Sequence, residues 1–367
     1  MAKSRLHQVA ERGQSVWFDT LSRELVHSGE LKRMMEDDAV TGVTSNPTIF
    51  QKALASGDAY DSQIKELLSE TDDATEIFFS LALDDIADAC DVLRPVHDKS
   101  PWDGFVSMEV LPGLAYDTEA TLQQAMWIHS LVDRPNLMVK IPSTEPGLPA
   151  IEEAIAKGKS INITLIFGLD RYKAVVEAYL RGLERLIASG GDPSKVSSVA
   201  SFFVSRVDSE ADKRLEALGN KKLQGKLAIA NAKLAYQHFV EMFRGERWDY
   251  LAGKGARPQG PLWASTSTKN PAYRDVMYVE ELIGPDTVNT MPLETIEAFQ
   301  DHGEVRGDTV LEGVDEAKQL FEDLAKAGVD YDDVTLTLEQ EGVQKFADSF
   351  TELLDGIRSK RDVLAAA

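Results

Sequence analysis

The chain has 367 residues, a formal net charge of -22, 43% hydrophobic and 27% charged residues, a composition that excludes a disordered or fibrous protein and leaves room for one large α/β unit. The acidity repels nucleic acid and anionic membrane surfaces, and no basic patch offsets it. Cys90 is the only cysteine and no apolar run is long enough for a signal peptide or a membrane span, so disulfides and Cys-based metal sites are excluded and a cytoplasmic location is expected.

Along the chain, short β-prone runs alternate with helical patterns, the sign of parallel βα units. Eight runs stand out: Ser15-Asp19, Gly42-Ser45, Gly104-Val110, Leu137-Ile141, Ser160-Phe167, Val196-Val204, Pro261-Thr266 and Thr287-Met291. Each is short and apolar enough to be buried on both faces, as barrel strands are. Helices are expected between them, at Asp117-Leu131 and Gly168-Ile187 among others, from apolar residues at helical spacing. A longer helical stretch, Ser205 to Arg244, reads as decoration on the barrel, and a Gly/Pro loop at Gly253-Pro261 resets the chain for the seventh strand. After the eighth run, helices are expected near Leu293-Phe299, Val314-Ala327 and Glu339-Ser359, the last two packing back over the barrel. The expected fold is an α/β (βα)8 TIM barrel forming a single domain, with the barrel at about residues 15-300, additional helices, and a C-terminal helical extension at about 301-367.

In such a barrel, polar residues at the C-terminal ends of strands mark the mouth of the site. Those that interrupt apolar runs here are Asp19, Thr44, Asn46, Glu109, Lys140, Asn162, Thr164, Ser201 and Ser265. Lys140, inside Leu137-Met-Val-Lys-Ile-Pro142, is the sharpest. Burial disfavours an ammonium, and a neutral amine there could attack a ketone carbonyl to form a Schiff base. A lysine that reaches out to solvent or pairs with a carboxylate explains the same residue. Asp19 and Glu109 could divide proton transfer and water orientation beside it, or act as a helix cap and an ion-pair partner. Asn162 and Thr164, two apart, share a strand face and suit sugar hydroxyls, although an amide satisfying backbone groups fits equally. Arg206, after the sixth run, is the best candidate for a phosphate, against a surface salt bridge with Asp208 or Glu210. The six histidines show no paired ligand spacing and there is no nucleotide-binding glycine motif, so no metal and no cofactor are expected.

Taken together, Gly42-Val-Thr-Ser-Asn-Pro-Thr-Ile-Phe50, Ser107-Met-Glu-Val110 with Tyr116-Asp-Thr-Glu119, Leu137-Met-Val-Lys-Ile-Pro142, Ile161-Asn-Ile-Thr-Leu-Ile-Phe167, Ser201-Phe-Phe-Val-Ser-Arg206 and Trp263-Ala-Ser265 resemble the transaldolase family. The likeness is to its bacterial branch with long loops and a C-terminal extension. It implies reversible transfer of a dihydroxyacetone unit from sedoheptulose 7-phosphate to glyceraldehyde 3-phosphate in the non-oxidative pentose phosphate pathway. Lys140 would form the Schiff base, Glu109 and Thr164 would hold the water that assists carbinolamine dehydration, and Asp19 would move the C4 hydroxyl proton. Thr44, Asn46, Asn162 and Ser201 would line the sugar site, with Arg206 and Ser265 at the phosphate. The expected partners are sugar phosphates, without nucleic acid or membrane, for a monomer or homodimer. One departure stands out: where many members place a second arginine two residues after the serine, this chain has Ser267, and Lys269 is the expected substitute. The competing readings are an aldolase that releases free dihydroxyacetone and a barrel that only binds sugar phosphate.

Overall fold

The computed structural model describes residues 4–55 and 57–365. Eight strands, β1 (Gln14–Phe18), β2 (Val40–Thr44), β3 (Val106–Glu109), β4 (Leu137–Pro142), β5 (Ile161–Ile166), β6 (Ser198–Phe203), β7 (Gly260–Ala264) and β8 (Thr287–Met291), lie in chain order around a closed barrel. All pairings are parallel, and β1 closes on β8 with Val16 opposite Asn289 and Phe18 opposite Met291. This is the expected (βα)8 barrel. The apolar runs that suggested strands are buried throughout in β4, β5 and β6, because barrel strands face side chains inside and helices outside.

Close packing of the barrel dictates some residues individually. A Cβ on Gly42 would stand 2.5 Å from the Trp17 ring, so the neighbouring strand can carry no side chain there. The Trp17 indole N–H in turn donates to Asp103, at 2.9 Å. Along β5 the pairing with β6 shifts register between Ile163 and Ile166, and Leu165 adopts φ 60°. This local bulge re-aims the residues at the top of the strand.

The helices follow their caps. Asp117 starts Thr118–Val132 by accepting from the Ala120 N–H, and Asp73 starts Ala74–Lys99 by accepting from Thr75 and Glu76. Leu169–Ala188 lies where its periodicity put it. The stretch expected from Ser205 to Arg244 is two helices, Ser205–Ala217 and Leu227–Met242. Gly219 and Gly225, at φ 70° and 69°, break it in the left-handed region that favours glycine. The first of the two follows β6 directly and so takes the place of a barrel helix.

At the C-terminus the expected helix Glu339-Ser359 extends from Tyr331 to Ala365, because Val334 and Leu338 continue the apolar spacing upstream and are buried. This helix packs over the C-terminal end of the barrel. Gly342 approaches Leu165 and Phe167, Phe350 meets Phe78 edge-on with centroids 5.4 Å apart, and Thr48 donates to Ser349 at 2.8 Å. Ion pairs of Asp333 with Arg214, Glu339 with Arg171 and Lys360 with Asp61 fasten it along its length. Among the described residues, no helix is long and apolar enough to cross a membrane.

Candidate active site

The parallel register sets Glu109 of β3 opposite Lys140 of β4, and Lys140 opposite Asn162 of β5. Three polar side chains thereby meet inside the barrel. Lys140 is 5% exposed and Glu109 7%. The Lys140 Nζ donates to the Ser45 carbonyl at 3.0 Å and stands 3.3 Å from Glu109 Oε2. Among the described residues, neither Glu109 oxygen accepts a hydrogen bond, and the buried Thr164 hydroxyl has no hydrogen-bond partner either. Buried polar groups are ordinarily satisfied, so orphaned acceptors beside an amine indicate a place built to receive something polar.

Asn162 has a protein partner at each amide atom. Its Nδ2 donates to Ser107 Oγ at 3.0 Å and its Oδ1 accepts from Ser201 Oγ at 2.6 Å. The amide thus braces Ser201 from below while keeping one N–H and one oxygen lone pair without a bond among the described residues.

Asp19 follows β1 directly. The Thr44 hydroxyl donates to Asp19 Oδ1 at 2.7 Å and lies 2.7 Å from the Thr290 hydroxyl. Burial raises the pKa of Asp19 above the ordinary carboxylate range, against the pull of the Thr44 hydrogen bond and the charges of Lys140, Arg206 and Lys269. Glu109 is likewise raised by burial, with Lys140 pulling the other way. Carboxyls shifted upward are suited to exchanging protons near neutrality.

Above this floor opens a cavity of about 590 Å³, lined by Asp19, Thr44, Asn46, Lys140, Thr164, Ser201, Arg206, Ser265 and Lys269 among others. The sequence candidates therefore converge on one place, with Glu109 and Asn162 behind its wall. Arg206 does not make the surface salt bridge weighed for it. Asp208 accepts from Tyr278 and the Ala228 N–H, while Glu210 pairs with Lys213 and Arg214. The Arg206 guanidinium instead lies 5.2 Å from the centre of the Phe203 ring, a stacking contact that orients it while leaving its donors open. Ser265, at φ 56°, sets its hydroxyl 2.9 Å from that of Ser205. Lys269 Nζ donates to Ser267 Oγ at 2.6 Å, joining the two residues at the departure noted above.

The lining also includes residues that sequence reasoning did not single out: Lys52, Phe203, Thr290, Glu294, Lys345 and Phe346. Thr290 was findable as one more polar residue in a strand run. Lys345 and Phe346 belong to the C-terminal helix, and no local pattern ties that helix to the mouth.

With this geometry in view, the chain can be set beside known proteins. The pattern of the transaldolase/fructose-6-phosphate aldolase family matches residues 16–357. A transaldolase of Frankia alni is 52% identical over 356 residues, covering 96% of each chain. One from Parafrankia sp. is 51% identical over 359 residues, covering 97% of each. Transaldolase 1 of Streptomyces coelicolor is 50% identical over 361 residues, covering 97% of this chain and 95% of the other.

Proposed function

The chain belongs to the transaldolase/fructose-6-phosphate aldolase family and is a transferase of the transaldolase type; from that premise we propose that it moves a dihydroxyacetone unit between sugar phosphates through a Schiff base on Lys140. The observation that carries the reading is the buried Lys140 amine opening on the cavity between Glu109 and the Asp19–Thr44 pair. Mere binding of a sugar phosphate needs neither a buried amine nor a proton relay.

The amine attacks the keto carbon of sedoheptulose 7-phosphate, giving a carbinolamine. Glu109 and Thr164, whose side-chain oxygens make no hydrogen bond among the described residues, hold the water that assists loss of hydroxide as the iminium forms. Asp19 takes the C4 hydroxyl proton while the C3–C4 bond breaks, its electrons passing into the iminium and erythrose 4-phosphate departing. The bound three-carbon enamine then attacks the aldehyde of glyceraldehyde 3-phosphate, Asp19 returns its proton to the new hydroxyl, and hydrolysis of the imine frees fructose 6-phosphate and the lysine. Thr44, Asn46 and Ser201, steadied by Asn162, take the sugar hydroxyls. Arg206 and Ser265 take the phosphate, and Lys269 supplies charge where Ser267 stands in place of arginine. The barrel and its C-terminal extension act as one unit, in the cytoplasm, within the non-oxidative pentose phosphate pathway.

The test is transfer itself. Given fructose 6-phosphate and erythrose 4-phosphate, the protein should form sedoheptulose 7-phosphate and glyceraldehyde 3-phosphate in equal amounts. Free dihydroxyacetone accumulating in place of sedoheptulose 7-phosphate would move the aldolase reading to the front.

A further inference from the structure

The phosphate end of the cavity contains a cation that comes from outside the barrel. Lys345 lies on the C-terminal helix beside the buried Phe346, and both line the same cavity as Lys140 and Arg206. A smaller adjoining recess is lined by Arg206, Ser265, Lys269 and Lys345 together. The helix is seated by Leu338, Gly342 and Phe346, buried at four-residue spacing, so Lys345 stands at the edge of the seated face. Glu341, one turn earlier, is in the position where a glutamate and a lysine commonly pair. It makes no such pair with Lys345, and among the described residues Lys345 has no ion-pair or hydrogen-bond partner.

Lys213 also lines the recess but is paired with Glu210, and Glu341 lines it beside Lys345; the remaining three cations, Arg206, Lys269 and Lys345, repel each other. The Lys269 pKa is lowered first by burial and then by the charges of Arg206 and Lys345, against the opposing pull of Glu294 and Asp19. Among the described residues many cations have carboxylate partners, as Arg214, Arg247 and Arg274 do, so a group of three without ion pairs is an arrangement that an entering dianion would relieve.

Resting on the reading of the site given above, we propose that Lys345 of the C-terminal helix is a substrate-binding residue that, with Arg206 and Lys269, grips the phosphate of the sugar and selects phosphorylated over unphosphorylated substrates. The helix is then part of the binding site and not only a cover. In this chain the charge missing at Ser267 is supplied from two directions, by Lys269 from the loop after β7 and by Lys345 from above.

The experiment compares the wild type, Lys345→Ala and Lys345→Arg in three ways. Titration calorimetry with inorganic phosphate reads the recess without any chemistry. Steady-state kinetics with fructose 6-phosphate as donor and saturating erythrose 4-phosphate as acceptor separate KM from kcat. Borohydride trapping with dihydroxyacetone, which has no phosphate, reads access to Lys140 alone. Lys345→Ala should weaken phosphate binding and raise KM by roughly three- to tenfold, with the loss confined to KM and dihydroxyacetone trapping kept. Lys345→Arg should restore most of both. Equal phosphate affinity in wild type and Lys345→Ala would overturn the proposal, as would an equal loss of dihydroxyacetone trapping, which marks a helix that has shifted. A wild type that binds phosphate through Lys345 yet neither traps ketone nor turns over would instead remove the Schiff-base reading and leave Lys345 as an anion site.

Discussion

The two ends of the barrel differ in what their polar groups face: one another at the closed end, an open cavity at the mouth. At the end where the strands begin, buried polar side chains largely hold one another, with Gln14 Oε1, Asn136 Oδ1 and Gln259 Oε1 the acceptors there left without a hydrogen bond among the described residues. Asp103 accepts from Ser15, Trp17 and the Gly104 N–H, and His129 bonds the Ser160 carbonyl at the start of β5. The outer helices repeat the habit, with Arg247 held between Glu177 and Glu184. At the mouth, Glu109 and Thr164 are left without hydrogen bonds and Arg206 and Lys345 without ion pairs. Unsatisfied groups cost stability wherever they lie, but those at the mouth stand at or just behind a cavity that a polar ligand can enter, so there the cost can be recovered on binding. The difference teaches that substitutions at the closed end should move stability, and those at the mouth should move kinetics.

The largest expected effect is at the mouth. Lys140→Met should reduce transfer by roughly four orders of magnitude or more while leaving the melting temperature near or above that of the wild type, as read by a coupled assay and thermal denaturation. A folded Lys140→Met protein with substantial activity would erase the distinction between the two ends. Asp19→Asn should lower kcat by about 10² to 10⁴ and leave folding intact. Its pH profile should lack the acid limb that a carboxyl with a raised pKa gives the wild type.

At the closed end, Asp103→Ala removes the acceptor of the buried Trp17 N–H and should cost about 3 kcal/mol in urea denaturation. The kcat of the remaining folded enzyme should be unchanged. His129 offers a test by pH. Burial holds its ring neutral, with the pKa pushed down from 6.5 to about 4. The unfolded chain therefore binds a proton that the folded one refuses, and stability complete above pH 6.5 is lost as pH falls towards 4, by roughly 3 kcal/mol. His129→Gln should flatten that slope, and an unchanged slope would show that the ring titrates freely in the fold. The smallest effect expected is for Lys269→Ala, a few-fold rise in KM for phosphorylated substrates without loss of kcat. Unchanged kinetics would remove Lys269 from the phosphate end.

How much of this was legible in the sequence depended on whether a feature is local. The strands were, because a barrel strand is apolar on both faces and a lysine within one, as at Lys140, is costly enough to stand out. The convergence of Asp19, Thr44, Lys140, Thr164 and Ser201 followed from placing each near the end of its strand. The break at Gly219 and Gly225 was missed because the helical periodicities on either side nearly run together, and the left-handed turns are visible only in the backbone. That Asn162 braces Ser201 could not be read from the sequence, because its partners Ser107 and Ser201 lie on other strands. Lys345 was hidden for a different reason: it enters the site from a helix more than one hundred residues beyond Arg206 in the chain, through tertiary packing that no sequence period encodes.

The central claim is that the buried lysine of β4 becomes covalently bonded to substrate. It is tested most directly by mixing the protein with fructose 6-phosphate and borohydride, which reduces a Schiff base to a stable secondary amine, and mapping the modified peptide by mass spectrometry. The account predicts a dihydroxyacetone-derived adduct on Lys140 alone. A protein that binds fructose 6-phosphate, remains folded and leaves Lys140 unmodified would contradict it and make the lysine a structural partner of Glu109.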